Sequence, residues 1–365
     1  MNGQPAPLWL YLPLWGVDFN SDDAGLVGGN VLASIPFPEE WHSIQQTEVA
    51  RERRVLAGSL LPAPPACLTV VEQRVADESM GDAVQRVGPH MLTQARTAVL
   101  ALRLHKPGWF LDPELAEICY AINEQGWDLL RRPGPYRQAF LAGCPYTPFP
   151  GYSLTMEELT LPGSEPGPVS VIWNQLVTMR AGADNASIEI ALENFNRSYG
   201  FQLKPSQRLA HLFIALDALF GGFQETKPGG IELRGSSGKF SQRIKAALSM
   251  AGHTFMETNQ QAGWLNGHQP GGGRWLRNRI AHGDDVDSTK EAEAAQLRLQ
   301  DIVRVVLRQY IHFLLHWNQD RAGMLHRFNL PETCSPVGAF NAALAAPASP
   351  ADAGAHDVLQ WPTGH

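Results

Sequence analysis

Asp184-Asn-Ala-Ser-Ile-Glu-Ile-Ala-Leu-Glu-Asn-Phe-Asn-Arg-Ser-Tyr-Gly200 is the stretch at which the chain changes character. Its Ile188, Ala191, Leu192, Phe195 and Tyr199 recur at three- and four-residue spacing, the apolar stripe of an amphipathic helix. Asp184 or Asn185 can cap its start and Gly200 can stop it. The pattern repeats downstream. Leu209, Leu212, Phe213, Leu216, Leu219 and Phe220 form a second stripe, opened after Pro205-Ser206 and closed by Gly221-Gly222. Phe240, Ile244, Ala247 and Leu248 form a third, and a short helix is expected from about Arg274 to His282, stopped by Gly283. Ser288-Thr-Lys-Glu291 has capping-box form and opens a helix that should reach Trp317, roughly 45 Å long at ~1.5 Å per residue. Residues 184–320 thus read as an all-α domain.

Upstream the pattern is mixed. Trp9 to Val17 and Cys67 to Val75 read as strands, each bounded by Pro, Asp or Glu. Met91, Leu92, Ala95, Ala98, Val99 and Leu102 place a helix over Met91 to Leu104, stopped by Lys106-Pro-Gly108. Residues 1–165 are therefore expected to form an α+β domain, a sensor or substrate selector for the helical domain downstream. From Gly134 to Gly167 the chain is rich in Pro and Gly without a sustained period, a connector or a β-meander. Residues 166–183 are expected as a linker, and the Ala- and Pro-rich residues 331–365 as a mobile tail.

Composition narrows the function classes. No run approaches the roughly 18 apolar residues of a membrane helix, and Leu8 to Trp15, with Pro13 inside it, reads as a strand, not a secretory signal. A cytoplasmic chain with no membrane partner is expected. Cys67, Cys119, Cys144 and Cys334 are scattered without a CxxC pair, as in a thiol-bearing intracellular protein. The sequons at Asn185 and Asn196 then have no role, since glycosylation needs the secretory route. The net charge of -7 disfavours indiscriminate nucleic-acid binding. It is unevenly spread: Phe201 to Leu330 holds 16 Lys and Arg against 11 Asp and Glu, about +5, leaving about -12 elsewhere. A mildly basic module beside an acidic one can engage a phosphate backbone locally. Ordinary surface charge explains the numbers equally well.

Chemistry concentrates in Arg277-Asn-Arg-Ile-Ala-His282. Asn278 and His282 are four apart and share a helix face; Arg277 is one position off that line, with a side chain long enough to reach across. Leu276 and Ile280 point toward the core. At a helix end the dipole favours the imidazolium. Such a trio suits RNA cleavage, in which the 2′-hydroxyl beside the scissile phosphate is the nucleophile. Histidine moves protons near neutral pH, arginine matches two phosphate oxygens, and asparagine orients phosphate or imidazole. No metal or cofactor is needed for this scheme. A plainer reading competes: a His followed by Gly is also an ordinary helix cap, and Arg277 and Arg279 can be solvated or pair with Asp284 or Asp285.

Trp275-Leu-Arg-Asn-Arg-Ile-Ala-His-Gly283 resembles the signature of HEPN domains, an Arg, usually a polar residue, three to five residues more, then His. The helix Arg208 to Phe220, followed by Lys239 to Leu248, is similar to the layout of the Apea-like HEPN branch, as is Ala101-Leu-Arg-Leu-His-Lys-Pro-Gly108 upstream. The resemblance covers about residues 184–320, a third of the chain. It implies an antiparallel, HEPN-like helical bundle that forms a homodimer and brings two motifs to one cleft. It also implies a metal-independent RNA endonuclease of defence, toxin or stress systems, with RNA as substrate and a regulatory partner protein. Carried over by position, Arg277 and His282 match the catalytic pair, and Asn278 the polar residue after the Arg. Asp217 can lock Arg277 through a salt bridge, or be a solvated or capping Asp. Some HEPN domains are catalytically silent and bind RNA, nucleotide or a partner protein; a purely structural dimerisation domain is a third class.

Three further features read as structural. His312 and His316 are four apart but lack an acidic neighbour and sit among Ile311, Phe313, Leu314 and Leu315, which favours packing over a metal. Gly235-Ser-Ser-Gly-Lys239 has the wrong glycine spacing for a phosphate loop, with Phe240 where Ser or Thr belongs and no apolar strand before it. Gly271-Gly-Gly273 is expected to be a flexible linker into the motif helix, with gating of the cleft as the alternative.

Overall fold

The computed structural model describes residues 8–14, 17–20, 25–28, 30–34, 66–73, 75, 77–107, 121–123, 159–162, 166–182, 186–200, 203–221, 224–226, 232–234, 237–287 and 290–317. Most of these are helical, and the chain divides into two compact units, 1–174 with 199–202, and 175–198 with 203–365. The expected mobile tail, 331–365, lies outside the described residues.

In the first unit, β1 (Leu8–Leu14), β3 (Gly25–Val27), β4 (Asn30–Ser34), β5 (Ala66–Glu72) and β6 (Ala121–Asn123) form an antiparallel sheet of order β3-β4-β5-β1-β6. β2 (Val17–Asn20) pairs in parallel with β7 (Leu159–Pro162). Alternation sets the buried face: Leu8, Leu10 and Leu14 of β1, and Leu68 and Val70 of β5, are buried. Helix α1 (Met80–His105) lays Val87, Met91, Ala95, Ala98 and Leu102 into the same core. It begins eleven residues before the periodic stretch at Met91, because Ser79 accepts a bond from the Asp82 N–H and so caps it, while Pro89 breaks the pattern without ending the helix.

Within the expected linker, 166–183, Pro166–Ala181 form a helix, α2, with Val169, Ile172, Leu176 and Met179 buried, and the division between the two units falls inside it, after Asn174. Proline is tolerated in a first helical turn, and apolar residues on nearly every side left no stripe to read.

In the second unit, α3 (Ala186–Arg197) and α4 (Pro205–Phe220) bury the two predicted stripes against each other. α3 ends at Arg197, ahead of Gly200. A short antiparallel pair, β8 (Gln224–Thr226) with β9 (Glu232–Arg234), interrupts what the sequence presents as purely helical. α5 (Ser237–Met250) comes next, its Arg243 donating to the Phe220 carbonyl at 2.6 Å and so capping α4. Ser237 to Lys239 form the first turn of α5, two residues after β9. α6 (Phe255–Leu265) has no counterpart among the helices expected from periodicity. Thr254 and Glu257 form its capping box, but only Thr258, Ala262 and Leu265 are buried, too weak a stripe to stand out. α7 (Gly273–Ala281) matches the expected short helix within a residue at each end. α8 (Lys290–Trp317) is the last described helix, 28 residues and about 42 Å long. Its residues Ile302 to Leu307 are all buried, so every side of the helix is covered there. Among the described residues no helix is long and apolar enough to cross a membrane.

Candidate functional site

α7 carries the motif, and its entry is built from glycine for reasons opposite to flexibility. Gly271 has φ +80°, a left-handed conformation that side chains resist, and its carbonyl accepts from the Trp264 indole at 2.8 Å. A Cβ on Gly272 would lie 2.5 Å from the Gly267 carbonyl oxygen, and one on Gly273 would lie 2.9 Å from the Leu265 Cα. Both are buried, and the Trp275 N–H donates to the Gly267 carbonyl at 3.1 Å. The expected flexible linker is therefore a close backbone crossing that fixes α7 on the end of α6.

The exit is fixed too. His282 is the C-cap, and Gly283 comes after it with φ +77°. The Asp284 N–H donates to the Arg279 carbonyl at 2.9 Å and the Gly283 N–H to the Ile280 carbonyl at 3.1 Å, a Schellman motif. Gly283 thus has a structural reason to follow His282. Beyond it, Asp287 accepts from the Ser206 N–H at 2.7 Å and from its hydroxyl at 2.9 Å, covering the open first turn of α4.

Between these anchors the site residues divide. Leu276 is fully buried as expected, whereas Ile280 is only half-buried. Arg277, Asn278 and His282 are exposed. The Arg277 Nη2 donates to Asp217 Oδ2 of α4 at 2.5 Å, so the structure brings together two residues 60 positions apart. Asp217 lies in the last turn of α4. Burial raises its carboxyl pKa above the ordinary value, and the Arg277 charge works against that rise.

Helix geometry sorts the rest. At about 100° per residue, Asn278 and His282 fall on one side of α7, and Arg277 lies about 140° round from His282. Trp275, seven residues before His282, shares the His282 side, and so does Arg279. The Arg279 guanidinium lies over the Trp275 ring at 5.1 Å and its Nε meets Asp284 at 3.4 Å. Reasoning from the Arg and His of the motif alone misses this pair; the heptad spacing from Trp275 to His282 is the signal that could have found it.

His312 packs edge-on against Phe313, ring centroids 5.3 Å apart. Among the described residues no group of three or more His, Cys, Asp or Glu could hold a metal ion. Comparison of the chain with protein-family models, with curated proteins and with solved structures gives no match in any of the three.

Proposed function

We propose that this chain is a metal-independent RNA endonuclease of HEPN type, an α+β domain followed by a HEPN-like bundle. The observation that carries the reading is a solvent-facing Arg277, Asn278 and His282 on a short helix whose entry and exit are both fixed by backbone contacts. Preorganised groups of this kind lower a barrier because they need no rearrangement as charge develops. His282 takes the proton of the 2′-hydroxyl, whose oxygen attacks phosphorus. The bond from phosphorus to the 5′-oxygen breaks, and that oxygen leaves with a proton from a second imidazole. The product ends are a 2′,3′-cyclic phosphate, opened by water to a 3′-phosphate, and a 5′-hydroxyl. Arg277 stabilises the extra negative charge on the phosphorane oxygens, and Asn278 orients the phosphate.

A homodimer supplies what one helix lacks. Because Arg277 and His282 of one α7 look to different sides, a second copy of the motif is the source of the complementary group and of the second imidazole. This reading places the chain in the cytoplasm, in a defence, toxin or stress-response setting, with a partner protein as restraint.

A second reading is a catalytically silent module that binds RNA, nucleotide or protein. The Asp217 carboxylate favours it, since one edge of the Arg277 fork is already occupied. Purified chain incubated with total RNA in excess EDTA separates the two. Cleavage that leaves cyclic-phosphate ends and falls at least about a hundredfold in both His282→Ala and Arg277→Ala supports the enzyme. Binding without turnover, or turnover that survives both changes, supports the silent module.

A further inference from the structure

The geometry points to a base-stacking subsite for single-stranded RNA at Trp275 and Arg279, on the same side of α7 as Asn278 and His282. The inference deepens the ribonuclease reading by naming the form of RNA and the part of it that is held.

Four observations converge. Trp275 is half-buried, so its indole is neither core nor fully solvated. The Arg279 guanidinium already lies over that ring, 5.1 Å from its centroid, in a cation–π contact, and the Arg279 side chain is 40% exposed. Arg279 is held only loosely on its other flank: the 3.4 Å approach of its Nε to Asp284 is an ion pair longer than a hydrogen bond. Finally, Trp275 and His282 are seven residues apart, two turns of one helix, so the stack and the imidazole face the same way about 10 Å apart along the axis.

Bases splayed from a single strand stack on aromatic rings and on guanidinium planes, whereas bases paired inside a duplex are not available for either. A strand whose phosphate lies at Asn278 and His282 therefore has a neighbouring base within reach of Trp275 and Arg279. Stacking is tolerant of sequence but grows with the size of the base, so purines are held more tightly than pyrimidines. The rigid crossing of Gly272 and Gly273 on α6 keeps this face in place before RNA arrives.

The test uses full-length His282→Ala protein, so that binding is read without cleavage, with fluorescently labelled oligoadenylate, oligouridylate and a duplex of equal length. Adding Trp275→Ala is expected to weaken oligoadenylate binding roughly tenfold and oligouridylate binding less. Trp275→Phe should keep most of the affinity that Trp275→Ala loses, and Arg279→Lys, which keeps the charge but not the planar guanidinium, should itself weaken oligoadenylate binding. A duplex that competes as well as the single strand overturns the subsite, as does Trp275→Ala with unchanged affinity and unchanged base preference. Wild-type protein that never cuts RNA but shows this Trp275 dependence keeps the subsite and removes the nuclease. Cutting that depends on Arg277 and His282 but ignores Trp275 does the reverse.

Discussion

The contact between Arg277 and Asp217 yields a prediction that needs no substrate. The perturbation is a double-mutant cycle of Arg277→Gln and Asp217→Asn in the full chain. The two side chains are 50% and 36% exposed, so water and salt screen them, and the pair should couple by about 0.5–1 kcal/mol, not by the several kcal/mol of a buried pair. In a unit of this size that corresponds to a melting shift of roughly 1–4 °C. The sign comes from the carboxyl. Burial raises the pKa of Asp217, so its ionised form costs stability above that pKa, and the cost fades as pH falls through it. Arg277 opposes the rise. Arg277→Gln should therefore destabilise at neutral pH in the native background and do little alongside Asp217→Asn. Because the folded pKa lies above the ordinary Asp value, the coupling should begin to fade at a higher pH than the titration of an ordinary Asp would set. Chemical denaturation of the four proteins, repeated from neutral to acid pH, reads all of this. Additive effects at neutral pH, or a coupling that persists unchanged into acid, would refute the account of the pair.

The remaining predictions concern the frame around the motif. Gly272→Ala should lower stability by about 1–3 kcal/mol, because the new methyl meets the Gly267 carbonyl and the crossing must open; wild-type stability in a melting or denaturant series would show that the glycines are a loose linker after all. Gly283→Ala meets no neighbour, so only its left-handed backbone opposes it, and a loss of about 1 kcal/mol is expected on denaturant titration. Asp287→Ala removes both acceptors from Ser206 and should cost about 1–2 kcal/mol, with faster amide exchange confined to the first turn of α4 and residues 283–287.

The sequence alone placed α3, α4, α5, α7 and α8. Each carries enough apolar residues at helical spacing, or a strong enough stop, for local periodicity to report which face is buried. It also placed Leu276 in the core and ended α7 beside Gly283, since those are properties of a few consecutive residues. It could not place α2, whose apolar residues surround the helix, nor α6, whose buried face is made of Thr258, Ala262 and Leu265. It could not say whether Gly271, Gly272 and Gly273 meant looseness or close approach, because a missing side chain permits both and only the neighbouring backbone at Leu265 and Gly267 decides. Nor could it decide which of its readings of Asp217 held. A contact across 60 residues leaves no local trace; it exists because α4 and α7 pack together, and that packing belongs to the folded unit as a whole.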